Sequence, residues 1–184
     1  MRLAPVLIFI VLAALLGIAL TRQSEPVAPG AATDKPFPSF ALTALDGTTQ
    51  WSSDALKGQV TVINVFASWC APCAEEMPQF AALKKQFPTV RFEGIAWNDD
   101  PATLKKWLAT NGNPFGTVWL DPKGDATIAL GIKGIPETFV VDGQGTLRYR
   151  LPGVLTADLA TGEFALLLTA LQNANQLQGI AHGR

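Results

Sequence analysis

The chain has 184 residues, 48% of them hydrophobic, with 14 Lys and Arg against 15 Asp and Glu and a formal net charge of −1. That length fits one domain. From Pro36 onward there are 11 basic and 13 acidic residues, so the basic face that nucleic acid requires is missing and no nucleic acid partner is expected.

Leu3–Leu20 is an uncharged run of 18 residues between Arg2 and Arg22. It is just long enough to cross a bilayer, and residues 1–22 are expected to anchor the chain in a membrane. The alternative is a cleaved export signal with Gly17-Ile18-Ala19 as its small-x-small site. Both readings export the remainder of the chain. Arg2 with the N-terminal amine against Arg22 gives only a weak orientation signal. Residues 23–35, rich in Pro, Ala and Gly, read as a linker. A domain is expected over 36–174, and a polar tail over 175–184.

Within the domain, Phe40–Leu45 ends at Asp46-Gly47, a hairpin signal. Val60–Phe66 is β-branched and almost continuously apolar, the pattern of a strand covered on both faces. Phe80, Leu83 and Phe87 mark one apolar helical face, and Pro78 should kink that helix. Val90–Ala96 is a second strand. Pro101 suits a first helical position with Asp99 or Asp100 as its cap, and Leu104, Trp107 and Leu108 follow on that helix. Thr117–Leu120 reads as a strand and Ala126–Leu130 as a short helix. Thr138–Val141 and Leu147–Leu151 flank Asp142-Gly143-Gln144-Gly145 as a hairpin. Phe164–Leu171 is a closing helix. The order predicts an α/β layer with a hairpin at one edge.

Both cysteines stand in the motif Cys70-Ala71-Pro72-Cys73. A structural disulfide there would close a very short loop and remove little entropy from the unfolded chain. Structural zinc needs four protein ligands, and the single histidine is His182 near the chain end, so no metal and no organic cofactor is expected. Two isolated core cysteines would not need a strand-to-helix junction. At such a junction the unpaired backbone N–H groups favour a thiolate at Cys70. Cys73, one turn in, is placed to resolve a mixed disulfide. C-x-x-C beside a βαβ pattern points to redox exchange.

Trp69-Cys70-Ala71-Pro72-Cys73, the kinking Pro78 and Gly134-Ile135-Pro136-Glu137-Thr138 follow one another in the order of the thioredoxin superfamily, which the chain resembles from about Phe37 to Leu171. The stretch "FPSFALTALDGTTQWSSDALKGQVTVINVFASWCAPCAEEMP" is similar to its TlpA-like branch. "LGIKGIPETFVVDGQGTLRYRLPG" is most similar to the DsbE/CcmG thiol:disulfide interchange proteins of cytochrome c biogenesis.

The resemblance implies a thioredoxin-like fold, with a central mixed sheet flanked by helices, an N-terminal hairpin extension and a central insertion. It implies a protein-disulfide reductase on the periplasmic side of a bacterial inner membrane, held there by a single span. Its substrates would be apocytochrome c or a haem-ligation partner, and its electrons would come from a membrane thiol reductant. It places Pro136 as a cis-proline facing the Cys70–Cys73 disulfide, with Trp69, Ile135, Pro136 and Glu137 against the substrate. Glu76 resembles the glutamate of the DsbE-like proteins. A general TlpA-like reductase serving copper-site assembly proteins, a copper chaperone and a disulfide oxidant are the rivals.

Two positions depart from the relatives. Asn64 replaces the buried aspartate of thioredoxin and cannot accept a proton. The proton relay must then use water or another carboxylate, and Glu76, three residues after Cys73 on one helical face, is the acid expected to serve. Lys133 stands where relatives often carry an aromatic. Glu76, Glu137 and Asp99 or Asp100 are expected to form an acidic rim at the mouth of the site.

Overall fold

A computed structural model describes residues 31–182 and, before them, only Phe9. Apart from Phe9, the run Leu3–Leu20 therefore lies outside the described residues, as does most of the linker. Among those residues no helix is long and apolar enough to cross a membrane.

The elements follow the predicted order. Strands β1 (Ala31–Pro36), β2 (Ala41–Ala44) and β3 (Gln50–Ser52) come first, then a 3-10 turn over Ser53–Leu56 and strand β4 (Thr61–Phe66). Helices α1 (Ala71–Glu75) and α2 (Met77–Gln86) lead to β5 (Arg91–Trp97), α3 (Pro101–Asn111), β6 (Thr117–Asp121) and α4 (Asp125–Ala129). Then β7 (Glu137–Val141) and β8 (Thr146–Pro152) form the hairpin. A short helix α5 (Ala157–Leu159) passes through a π-turn, Ala160–Phe164, into α6 (Ala165–His182).

Among the described residues, eight strands make one mixed sheet in the order β1-β8-β7-β4-β5-β6-β2-β3. This is the thioredoxin-like fold. β4 lies inside, parallel to β5 and antiparallel to β7, with all six of its residues buried. That position explains its apolar sequence, because neither face meets water. Side chains alternate across it. Val62 and Phe66 join one core with Phe80, Leu83 and Phe87, while Ile63 and Val65 join the other with Ile95, Phe139 and Trp119. Fully burying a side chain such as Phe66 or Phe80 contributes about 1.5–3 kcal/mol.

Three bounds differ from the sequence reading. Ala31–Pro36, read as the end of a linker, pairs antiparallel with β8; its composition is linker-like, but the open edge of β8 supplies backbone partners. The closing helix continues beyond Leu171 to His182, through a stretch whose polar composition suggested a tail. Pro78 does more than bend one helix. It lacks the N–H that would bond the carbonyl one turn back, and the helix breaks at Glu76, which ends α1 and caps α2.

Candidate active site

The end of β4 delivers the chain to the first turn of α1. Cys70 is the N-cap residue in extended conformation (φ −91°, ψ 100°), and Cys73 lies one turn on. The two form a disulfide with an S–S distance of 2.01 Å and Cα atoms 5.4 Å apart. Cys70 retains 5% exposure and Cys73 none. Only Cys70 is therefore open to an incoming sulfur, as expected of the attacking member.

The loop before Cys70 is held from the end of β5. Ser68 donates through its backbone N–H and its hydroxyl to the Asp99 carboxylate. Trp69 donates its indole N–H to the Asn98 carbonyl at 3.1 Å and meets Trp97 edge-on, ring centres 5.8 Å apart. Asn98 sits at φ +46°, a left-handed conformation that Asn accepts more readily than bulkier residues. Trp69 is 56% exposed even so. Asp100 caps α3 by accepting from the Thr103 N–H at 2.8 Å. The adjacent acids Asp99 and Asp100 thus have separate structural tasks.

One helical turn after Cys73 comes Glu76, fully buried. One oxygen, Oε1, accepts from Asn64 Nδ2 at 2.8 Å, and the other, Oε2, accepts from the Leu155 N–H at 2.9 Å. Burial pushes its carboxyl up from the ordinary 4.5 to about 7, against the pull of the Leu155 and Asn64 hydrogen bonds. Asn64 Nδ2 also reaches Thr138 Oγ1 at 3.2 Å. Asn64 Oδ1 is buried and has no hydrogen-bond partner among the described residues.

The Ile135–Pro136 peptide is cis. Pro136 is buried and Ile135 half-buried, and the Pro136 carbonyl accepts from the Gly153 N–H at 2.9 Å. Glu137, the next residue, is buried and forms an ion pair with Arg150. Arg150 also donates to the Gly131 carbonyl at 3.0 Å and lies 5.4 Å from the centre of the Phe139 ring. It therefore ties together both ends of the loop that carries Pro136. Lys133 on that loop is exposed.

The acidic rim does not form. Glu76 is fully buried, and strand alternation sends Glu137 to the other face of the sheet, alongside Phe139. Asp99 and Asp100 are engaged by Ser68 and Thr103. Sequence reading passed over Arg150, Thr138 and the Leu155 N–H. Arg150 had a usable signal: the turn over 142–145 fixes the hairpin register, Phe139 faces Arg150, and an inward Glu137 then has a cation diagonally across. Nothing local pointed to Leu155, which is 79 residues from Glu76.

The AhpC/TSA family pattern matches residues 33–150. The chain is 35% identical over 149 residues to thiol:disulfide interchange protein HelX of Rhodobacter capsulatus, covering 80% of this chain and 84% of that protein. It is 36% identical over 159 residues to thiol:disulfide interchange protein DsbE of Escherichia coli K12, covering 83% and 85%. Among solved structures, a thioredoxin-family thiol:disulfide interchange protein from Chlorobium tepidum superposes with a TM-score of 0.62 at 29% identity, over 76% of this chain and 97% of that one.

Proposed function

This chain belongs to the AhpC/TSA family and is a disulfide oxidoreductase; on that premise we propose that it works as a reductant, DsbE-like, for cysteines awaiting haem attachment in an apocytochrome c or in a haem-ligation partner. It does so on the periplasmic side of the inner membrane, tethered through Leu3–Leu20 and recharged by a membrane thiol reductant. The observation that carries this reading is the Cys70–Cys73 disulfide at the strand-to-helix junction, with only Cys70 open.

The steps follow from that asymmetry. The Cys70 thiolate attacks a substrate disulfide, the substrate S–S bond breaks, and one substrate thiolate leaves as a mixed disulfide forms. The Cys73 thiol then loses its proton, with Glu76 as the acceptor, and attacks Cys70 Sγ. The mixed disulfide breaks, and the second substrate thiolate departs. Two electrons pass to the substrate, its thiolates take up two protons, and Cys70–Cys73 is oxidised. Ile135 and cis-Pro136 hold the incoming chain in extended form, and Trp69 flanks it.

Two variants and one potential test this. Cys70→Ser should abolish exchange, and Cys73→Ser should accumulate a mixed disulfide joining Cys70 to the substrate. The potential of the pair, equilibrated against glutathione, should lie below the glutathione couple. A potential near the oxidising end of the range overturns the reductant reading. Trapped copper-site proteins in place of haem-attachment substrates would favour the broader TlpA-like role. The intact mass of membrane-extracted protein, retaining Met1 or Arg2, tests the tether.

A further inference from the structure

The hydrogen bonds around Glu76 fit only one of its two charge states. Ionised, the carboxylate has two acceptor oxygens and receives two donors, Asn64 Nδ2 and the Leu155 N–H. A neutral carboxyl keeps one strong acceptor, its carbonyl oxygen, and gains one donor, its O–H. The Leu155 donor is backbone and cannot turn away, so the carbonyl oxygen stays at Oε2. The proton then sits on Oε1, aimed at Asn64 Nδ2, donor against donor. In the ionised arrangement the partnerless atom is Asn64 Oδ1, the acceptor that the neutral acid needs. The two ends of a carboxamide are nearly equal in size, so turning the group over creates no clash.

We propose that Asn64 is a positioning residue whose side-chain amide reverses with the charge of Glu76, donating through Nδ2 to the carboxylate and accepting through Oδ1 from the carboxyl O–H. In the reversed state Thr138 also changes role. Its hydroxyl, which receives Nδ2 in the ionised state, rotates to donate to Oδ1. Both charge states of the acid are then hydrogen-bonded at both oxygens. The reversal carries Nδ2 to the place now held by the partnerless Oδ1, so the unsatisfied atom stays on the amide in both states and the acid itself is spared a cost comparable to a lost hydrogen bond.

The surroundings leave this exchange to neutral groups. The charged residues on the surrounding elements are Glu75 on α1, Lys84 and Lys85 on α2, Arg91 and Glu93 on β5, Glu137 on β7, Arg148 and Arg150 on β8, Asp158 on α5 and Glu163 in the π-turn. None contributes to the raised titration of Glu76, which comes from burial opposed by Leu155 and Asn64. The disulfide itself carries no titratable proton; in the reduced protein the Cys70 and Cys73 thiols join the titrating set. Use of the exchange in catalysis rests on the disulfide-exchange reading above, whereas the reversal can be measured without any substrate.

The experiment is an NMR titration of the full chain in its oxidised form. Cross-relaxation between the Asn64 side-chain amide protons and the Thr138 methyl reports which end faces Thr138, and the Glu76 Cδ shift reports ionisation. The amide cross-peak should be present above about pH 8 and lost below about pH 6, one unit either side of the Glu76 midpoint. Glu76→Gln places a donor permanently opposite Asn64, so the cross-peak should be absent at every pH. A cross-peak that persists while Glu76 titrates, or that survives in Glu76→Gln, overturns the proposal. Loss of enzymatic activity with the titration intact would count against the functional reading alone.

Discussion

Glu76 and Glu137 are both buried glutamates at the site, yet they sit on opposite faces of one sheet and are satisfied by different chemistry. Glu76 shares the disulfide face with Asn64 and Thr138 and receives only neutral donors. Glu137 shares the other face with Phe139 and receives the Arg150 guanidinium. Neutral donors leave the charge itself uncompensated, so burial raises the Glu76 carboxyl to about 7. A carboxyl that titrates near neutrality is able to accept and release protons there. An acid that fixes a loop is better served by a cation, and Glu137 with Arg150 fixes the loop of the cis-proline.

The contrast breaks most visibly at the ion pair. Arg150→Met leaves Glu137 buried without its cation, and the expected loss is about 3–5 kcal/mol by urea unfolding at pH 7. The double variant Arg150→Met with Glu137→Gln should recover most of it. A single-variant loss below about 1 kcal/mol would mean that the pair behaves as a surface one.

Glu76 gives the next effect, with the opposite sense. Its folded carboxyl titrates near 7 against 4.5 when free, so between those values the folded chain binds more protons than the unfolded one. Stability therefore falls as pH rises through that window, by up to about 3 kcal/mol, and is level above it. In oxidised protein, unfolding at pH 5 and pH 8 should show this fall in the wild type, and Glu76→Gln should remove that component of it. In reduced Glu76→Gln the thiol titration should move to lower pH, because a neighbouring negative charge is gone.

Asp99 sharpens the comparison from the partly exposed side. Its carboxylate holds the Ser68 backbone and hydroxyl, and solvent screening reduces what those bonds are worth. Asp99→Ala should cost about 1–2 kcal/mol in urea unfolding. A larger loss would show that exposure matters less than the contrast between the two buried acids suggests.

The smallest expected effect concerns salt. Glu137 lies on the far face from the disulfide, so Glu137→Gln should leave the ionic-strength dependence of protein-substrate reduction unchanged. A salt-screened slowing confined to the charged substrate would return its charge to the mouth of the site.

Much of this was legible from residue order alone. Cys70-Ala71-Pro72-Cys73, the almost continuously apolar β4, the hairpin turn at Asp142–Gly145 and the capping of α3 by Asp99 or Asp100 are local patterns, each complete within a few residues. Glu76 was legible as an acid near the thiols, but its burial was not. Its spacing from Cys73 and Phe80 puts it on the buried helical face, but an acid there reads as a polar position until its distant hydrogen-bond partners are known.

Residue order thus sets which side chains can carry the chemistry, because backbone periodicity and capping act over one or two turns. Tertiary packing assigns each acid its task. Leu155 and Arg150 reach Glu76 and Glu137 only once β7 and β8 have paired against β4. The donors that set the charge of a buried carboxylate come from distant parts of the chain, and no local pattern records the register that brings them there.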